Sequence, residues 1–175
     1  MQIAQQLYEG VDIEGRGTLG LISYIRTDSV RLSDEAVAAA RGAIESRYGA
    51  EYLPEKPIVY KGRKSAQDAH EAIRPTYIEN TTIEGTPQEK KLYELIWKRT
   101  IASQMADAQV DKTTATISMN GTDYMFTATG EVVTFDGFLR VYKESFDDEV
   151  VTEDENRLLH QLHQGREYKV FCRVT

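Results

Sequence analysis

The sequence predicts an α+β fold, in which a helical module over residues 1–107 is followed by a small, mainly antiparallel β module over residues 108–175. Helix-capping residues precede two apolar runs of helical period, at Ser33 and at Thr86. After residue 108 the pattern changes to the alternation that is typical of strands. The pair Asn120-Gly121, between two alternating runs, is a strong hairpin signal. These observations place the helices before the strands along the chain.

The first helix is expected over residues 2–9, where Ile3 and Leu7 share one face and Gly10 follows the last turn. It starts at the first residue without an N-cap, which leads us to expect that the chain is cut from a longer protein. Residues 22–27 then alternate as in an extended strand.

Two longer helices carry clear boundary signals. Ser33 is predicted to cap a helix that runs to about Tyr48 and ends at Gly49. Thr86, with Pro87 after it and a glutamate at the third helical position, forms a capping box for a helix from residue 87 to about 106. Trp97 is expected to pack this helix against the others. The expected buried faces comprise Val37, Ala40, Ile44 and Tyr48 in the second helix and Leu92, Leu95, Ile96 and Met105 in the third.

The second module is expected to contain several short strands. Residues 114–119 and 124–128 flank the Asn-Gly hairpin, residues 132–135 and 138–142 flank an Asp-Gly turn, and residues 168–174 alternate again. We expect that chain outside these residues supplies further strands to this module.

Composition limits the class of protein. The only cysteine, Cys172, excludes an internal disulfide and a cysteine zinc site within these 175 residues, which is compatible with the cytosol. No apolar run is long enough to cross a membrane, and the first residues lack the pattern of a signal peptide. We therefore expect a cytoplasmic protein without a membrane partner.

The net charge of −7 is unusual for a nucleic-acid-binding chain. Residues 1–107 carry 14 basic and 16 acidic side chains, whereas residues 108–175 carry 7 and 12. Seven of the acids crowd into residues 144–155, which we interpret as a solvated loop. A metal site in this loop is the alternative, although neighbouring carboxylates in a loop point apart. The first module is therefore close to neutral and remains compatible with an anionic partner.

Tyr24 and Arg26 are predicted on the same side of the extended segment, two residues apart. A phenol has an ordinary pKa of about 10 and is a weak nucleophile at neutral pH. A guanidinium beside it favours the phenolate and can hold a phosphate oxygen. The pair therefore suits covalent attack on a phosphodiester. These residues also allow a structural alternative, in which Tyr24 is packed in a half-buried strand and Arg26 pairs with Asp28.

A second group of candidate residues lies near position 70. Ser65 is predicted to cap a short helix from Ala66 to about Ile73, on which His70 and Arg74 would share a face at i, i+4 spacing. These two side chains could hold neighbouring phosphates. The basic residues just before this helix are either ordinary surface or contacts to the phosphate backbone; they are Lys61, Arg63 and Lys64.

Three stretches together resemble one protein family. Residues 20–29, Gly-Leu-Ile-Ser-Tyr-Ile-Arg-Thr-Asp-Ser, resemble the active-site tyrosine segment of bacterial type IA DNA topoisomerases. Residues 3–10, Ile-Ala-Gln-Gln-Leu-Tyr-Glu-Gly, resemble the helix that precedes that tyrosine, and residues 69–76, Ala-His-Glu-Ala-Ile-Arg-Pro-Thr, resemble the second signature of the family. The order and spacing of the signatures match, and the resemblance weakens after about residue 140.

The resemblance implies a function for the candidate residues. Tyr24 would be the nucleophile that forms a 5′-phosphotyrosine, and Arg26 would stabilise charge on the scissile phosphate. His70 and Arg74 would position neighbouring phosphates. Arg63 and Lys64 would be further DNA contacts. The supporting residues would be Asp28, Thr27 and Glu71. The first module would be the helical domain that bears the active-site tyrosine, and the second would be part of a larger β-rich arch.

The same resemblance implies the reaction and its requirements. The whole enzyme would cleave one strand of negatively supercoiled DNA, pass a strand and religate without ATP. It would need Mg²⁺, held by a domain outside this chain, and the 175 residues alone would be inactive. Two alternatives remain: a non-catalytic helical DNA-binding module, and a strand transferase similar to tyrosine recombinases. In the recombinases the tyrosine follows the His and Arg motifs, whereas Tyr24 precedes them here.

Overall fold

The computed structural model describes residues 2–13, 17–60, 70–118, 123 and 125–142. These residues form three α-helices and two pairs of antiparallel strands, which confirms the α+β class. In chain order the elements are α1 (Gln2–Glu9), β1 (Val11–Ile13), β2 (Gly17–Leu19), α2 (Asp34–Tyr48), α3 (Pro87–Ala102), β3 (Gln109–Ser118) and β4 (Met125–Phe135), with short 3-10 helices at Ala50–Tyr52 and Gly137–Arg140. No helix among the described residues combines the length and apolarity that a membrane crossing requires.

Helix α2 begins and ends where its capping residues predict. The Ser33 hydroxyl accepts a hydrogen bond from the Ala36 N–H at 3.3 Å, and the Gly49 N–H donates to the Glu45 carbonyl. Gly49 has a φ of +109°, a conformation that a side chain would strain. Both ends of α2 are therefore fixed by local backbone chemistry, as predicted.

Helix α3 begins with the predicted capping box. The Thr86 N–H and the Thr86 hydroxyl both donate to the Glu89 carboxylate at 2.8 Å, and these two bonds hold the pKa of Glu89 below its ordinary value. The Thr86 hydroxyl oxygen also accepts from the Glu89 N–H, which completes the capping box. The helix ends at Ala102, before the expected residue 106. Trp97 is packed as expected, with its indole N–H donating to the buried Ile78 carbonyl at 2.8 Å.

The expected apolar face of α3 is partly wrong. The buried stripe consists of Tyr93, Trp97 and Ile101, spaced four residues apart, whereas Leu95 is 47% exposed. At 100° per residue, Leu95 lies roughly opposite Tyr93 and Trp97 around the helix, so it cannot share their face. This stripe lies in a core with residues of α1 and α2, namely Leu7, Ala40 and Ile44.

The second pair of strands is a simpler ribbon than the sequence suggests. Strand β4 pairs with β3 from Met125 opposite Ser118 to Phe135 opposite Gln109. The strands predicted at 124–128 and 132–135 are therefore one element from residue 125 on, because residues 129–131 continue the pairing. The Asn-Gly turn, residues 143–175 and the strand predicted at 168–174 lie outside the described residues.

The strand predicted at residues 138–142 is also wrong. Gly137 has a φ of +47° and turns the chain, and the Phe138 carbonyl then accepts from the N–H groups of Val141 and Tyr142 in a 3-10 turn. The Phe138 N–H donates to the Ala106 carbonyl at 3.0 Å. Within the described residues, one compact unit contains the chain up to Asp107 together with 137–142, and a second contains Ala108–Asp136. The turn at Gly137 thus returns the chain to the first unit.

Candidate active site

The segment that carries Tyr24 is anchored at its start. The Leu21 N–H donates to the Leu7 carbonyl of α1 at 2.8 Å, and the Leu21 carbonyl accepts from the Thr76 N–H at 2.9 Å. Ile22, which is buried, forms an isolated antiparallel bridge with Pro75. The expected strand over residues 22–27 does not continue beyond this bridge, and the chain bends at residues 25 and 26.

Ser23 ends the pairing through its side chain. The Ser23 N–H donates to the Arg74 carbonyl, and the Arg74 N–H donates back to the Ser23 hydroxyl, both at 2.9 Å. The hydroxyl also donates to the Ala72 carbonyl at 2.9 Å. Because a side chain takes the place of the strand carbonyl, the backbone after Ser23 is free to turn away from its neighbour. This is the physical reason that the predicted strand stops.

The Tyr24 ring lies against two other rings. Tyr8, at the end of α1, meets it edge to face with 5.5 Å between centroids, and His70 lies 4.8 Å away with its plane tilted by 35°. Tyr24 nevertheless keeps 36% of its surface exposed. Gly20 allows the approach of α1, since a Cβ at this position would lie 2.9 Å from the Tyr8 carbonyl oxygen. The tyrosine is thus oriented by contacts and still accessible.

Arg26 is exposed on the wall of a cleft of about 400 Å³. The other residues of the wall are Gln2, Gln5, Gln6, Glu9 and Ile25. Among the described residues no ion pair joins Arg26 to Asp28, which is also exposed. Thr27 has a local role, because its hydroxyl accepts from the Ser29 N–H at 3.0 Å and stabilises the turn after Arg26. The guanidinium therefore faces an open cleft lined largely by amides.

Arg74 is held by Glu71. The Arg74 Nε donates to the Glu71 carboxylate at 2.7 Å, and its Nη1 donates to the Pro75 carbonyl at 3.0 Å. The same carboxylate accepts a long bond of 3.4 Å from the Ser33 N–H at the start of α2. Partial burial favours the neutral form of Glu71, but the bond to Arg74, the charge of Arg74 and the bonds from Ser33 together hold the pKa of Glu71 below its ordinary value. The ion pair thus fixes the side of the guanidinium that carries Nε.

The short helix predicted from Ala66 to Ile73 is wrong over its described part. Residues 70–73 are irregular, because the Ala72 N–H donates to the Arg31 carbonyl and the Ala72 carbonyl accepts from Ser23. His70 and Arg74 consequently do not share a helix face. Tertiary contacts nevertheless bring both residues to the tyrosine segment, because His70 contacts the Tyr24 ring and the Arg74 backbone is bonded to Ser23. Residues 61–69, with Lys61, Arg63 and Lys64, lie outside the described residues.

Sequence reasoning missed two residues of this site, Tyr8 and Ser23. Tyr8 gives no sequence signal beyond lying near the end of a helix. The alternation of residues 22–27 would place Ser23 on the side of the strand opposite Tyr24, and nothing in the local pattern shows that its hydroxyl would bond a segment 49 residues away. Their roles depend on long-range contacts.

The described residues do not fit a metal site. No group of three or more His, Cys, Asp or Glu side chains among them is placed to hold a metal ion. Mg²⁺ requires several oxygen ligands in near-octahedral geometry. The acidic stretch 144–155 lies outside the described residues.

Matches over nearly the whole chain assign it to a known protein family. The chain belongs to a family of DNA topoisomerases, whose family model, described as DNA topoisomerase, matches residues 1–173. The curated protein "DNA topoisomerase 1" of Rickettsia bellii is 51% identical over 174 residues, which cover 97% of this chain and 21% of that protein. Its namesake from Streptomyces coelicolor is 46% identical over 173 residues, covering 94% of this chain and 17% of that protein.

A solved structure gives the same assignment. The full-length topoisomerase I from Thermotoga maritima is 40% identical to this chain and superposes with a TM-score of 0.69, over 87% of this chain and 25% of that one. The chain therefore spans about a fifth of the length of the curated relatives it matches and about a quarter of the solved one.

Proposed function

We propose that this chain is the tyrosine-bearing part of a type IA DNA topoisomerase, which relaxes negatively supercoiled DNA through a transient break in one strand. The observation that carries the proposal is the position of Tyr24. Its ring is held by Tyr8 and His70 and remains 36% exposed, and the residue before it is bonded to the segment that ends in Arg74. Tyr93, by contrast, is packed in the core at 1% exposure.

The proposed reaction exchanges one phosphodiester for another. The Tyr24 oxygen attacks the phosphorus, the bond from phosphorus to the 3′ oxygen breaks, and a 5′-phosphotyrosine forms. The phenol proton leaves to solvent or a base, and the 3′ oxygen gains a proton. After strand passage the 3′-hydroxyl attacks the same phosphorus and displaces Tyr24. Since one bond of similar energy replaces another in each direction, the cycle needs no ATP.

Three residues, Arg26, His70 and Arg74, are proposed to donate hydrogen bonds to different phosphates of the DNA strand. Arg26 stabilises the charge that develops on the scissile phosphate, which is commonly the largest electrostatic contribution in such sites. His70 orients the Tyr24 ring and donates to a neighbouring phosphate. Arg74 uses the N–H groups that Glu71 and Pro75 leave open to hold the next phosphate along the strand. Asp28, exposed on the following turn, helps to orient this loop.

The proposal includes requirements outside these 175 residues. Single-stranded DNA has to be held in line with Tyr24 by the remaining domains of the same polypeptide, and Mg²⁺ would supply its charge from one of those domains. The described residues contain no group that fits the ion. The enzyme is expected to act on the chromosome in the cytoplasm.

The test replaces Tyr24 by Phe in the full-length enzyme. We expect Tyr24→Phe to bind single-stranded DNA as the wild type does and to lose cleavage and relaxation, because only the nucleophilic oxygen is removed. Tyr77→Phe is a matched control, since Tyr77 is similarly exposed at 39%. A Tyr24→Phe enzyme that still relaxes plasmid DNA would refute the proposal, and unchanged binding with no covalent adduct in the wild type would favour a non-catalytic DNA-binding module.

A further inference from the structure

The hydroxyl of Ser23 replaces a main-chain group at the point where the tyrosine segment leaves its neighbour. In an antiparallel pair, two opposed residues exchange N–H and carbonyl bonds. Here the Ser23 N–H donates to the Arg74 carbonyl as in a sheet, but the returning N–H of Arg74 donates to Ser23 Oγ. The Ser23 carbonyl is therefore not needed for pairing, and the peptide that leads to Tyr24 can turn outward.

The same hydroxyl makes a second long-range bond. Ser23 Oγ donates to the Ala72 carbonyl at 2.9 Å while it accepts from Arg74. One side chain thus spans residues 72–74, the stretch that connects His70 to Arg74. Both bonds of the hydroxyl are part-buried, where hydrogen bonds are less exposed to competition from water.

We propose that Ser23 is a positioning residue for the cleavage reaction, fixing the distance between Tyr24 and the phosphate-holding pair His70 and Arg74. This inference rests on the proposed function. Ser23 does not touch the substrate in this scheme. It acts by tying the residue before the nucleophile to the segment that holds the neighbouring phosphates.

The chemical step is sensitive to such a distance. Attack on phosphorus requires the reacting atoms to be about 3–3.5 Å apart and aligned, and a displacement of about 1 Å can cost on the order of 100-fold in rate. Loss of both Ser23 Oγ bonds would let the 72–74 segment shift relative to Tyr24, while the backbone bond from the Ser23 N–H would remain. We therefore expect the rate of cleavage to change more than the affinity for DNA.

The experiment compares two side chains of the same shape in the full-length enzyme. Ser23→Thr keeps the hydroxyl, and Ser23→Val replaces it with a methyl group. Single-turnover cleavage of a labelled single strand at saturating enzyme should be about 10- to 100-fold slower in Ser23→Val and within about threefold of wild type in Ser23→Thr. Binding of the same strand should change less than about threefold in both.

Two controls accompany this pair. Ser46→Ala removes an exposed helical serine whose hydroxyl donates to the Ala43 carbonyl, and it should cleave as the wild type does. Melting temperatures establish that the variants are folded, and Ser23→Ala takes the place of Ser23→Val if the latter does not fold. Equal cleavage rates with and without the hydroxyl would overturn the inference, as would a loss of binding that accounts for the whole loss of rate.

Failure of this inference is distinguishable from failure of the proposed function. If Tyr24→Phe abolishes the covalent adduct while Ser23→Thr and Ser23→Val cleave at equal rates, Tyr24 remains the nucleophile and only the role of Ser23 is wrong. If Tyr24→Phe still forms the adduct, the proposed function itself is wrong.

Discussion

Replacement of Glu71 by Gln tests whether charge, rather than shape, holds Arg74 in place. In the wild type the Glu71 carboxylate lies 2.7 Å from Arg74 Nε and 3.4 Å from the Ser33 nitrogen. Glutamine keeps an oxygen acceptor of the same size for both donors. What is lost is the charge assistance of the first bond, since the second is already long. Fully formed hydrogen bonds to charged groups contribute about 1.5–3 kcal/mol, whereas exposed ion pairs contribute about 0.2–1 kcal/mol.

The exposure of the two side chains decides between these ranges. Arg74 is 22% exposed and Glu71 is 28% exposed, so water screens the pair in part. We expect Glu71→Gln to lower the free energy of unfolding by about 1 kcal/mol at pH 7, which corresponds to roughly 3 °C in the melting temperature for a chain of this length. The difference should depend on pH, because the pKa of Glu71 is held below its ordinary value in the folded state.

The sign of the pH dependence follows from that lowered pKa. A carboxylate with a lowered folded pKa stabilises the protein fully above its ordinary pKa, and this contribution is lost as the pH falls through the folded value. The melting temperatures of wild type and Glu71→Gln should therefore differ at pH 7 and converge in acid, below the ordinary carboxyl range.

Glu94→Gln on α3 is the matched control. Glu94 pairs with Lys98 at 2.6 Å, but the two side chains are 53% and 42% exposed, so the effect should stay within about 0.5 kcal/mol. The charge of Glu71 does not stabilise the Arg74 segment if Glu71→Gln and Glu94→Gln have the same melting temperature at pH 7. The same conclusion follows if the melting temperature of Glu71→Gln stays equally far below that of the wild type in acid.

Two further predictions concern catalysis. Arg26→Lys in the full-length enzyme should lose most of its cleavage and relaxation activity although the charge is kept, because an ammonium cannot reproduce the planar fork on a phosphate; cleavage at the wild-type rate would show that charge alone suffices. The 175-residue chain alone should bind single-stranded DNA weakly and in a salt-dependent manner and should not nick it with or without Mg²⁺, because the phosphate is not held in line; a covalent adduct trapped by denaturant would contradict this.

The features that were predicted correctly from the sequence are those fixed within a few residues. The caps at Ser33 and Thr86 depend on bonds to backbone groups three positions away, and both are present. The antiparallel pairing of β3 with β4 follows from alternation and a hairpin signal between adjacent runs. Such signals need no knowledge of the rest of the fold.

The errors occur where a distant partner determines the backbone. The strand at Tyr24 stops because the Ser23 hydroxyl bonds Ala72 and Arg74, about 50 residues later. The helix expected near His70 is absent over residues 70–73 because Ala72 bonds to Arg31 and Ser23 instead of to its own turn. Residue type and family resemblance identify the candidate residues, whereas their arrangement depends on these tertiary bonds. Tyr8 and Ser23 could only be recognised after folding.

The hydrogen bond between Phe138 and Ala106 has a consequence for how this region can vary. Because the chain leaves the first unit after Asp107 and re-enters it at Gly137, the two connections of the β3–β4 ribbon are joined at its base by that 3.0 Å bond. The entropic cost of a longer connection grows only slowly with length. A change in the length of the ribbon is therefore expected to cost little, whereas a side chain at position 137 would force a shift, because a Cβ there would lie 2.5 Å from the Ala106 carbonyl oxygen.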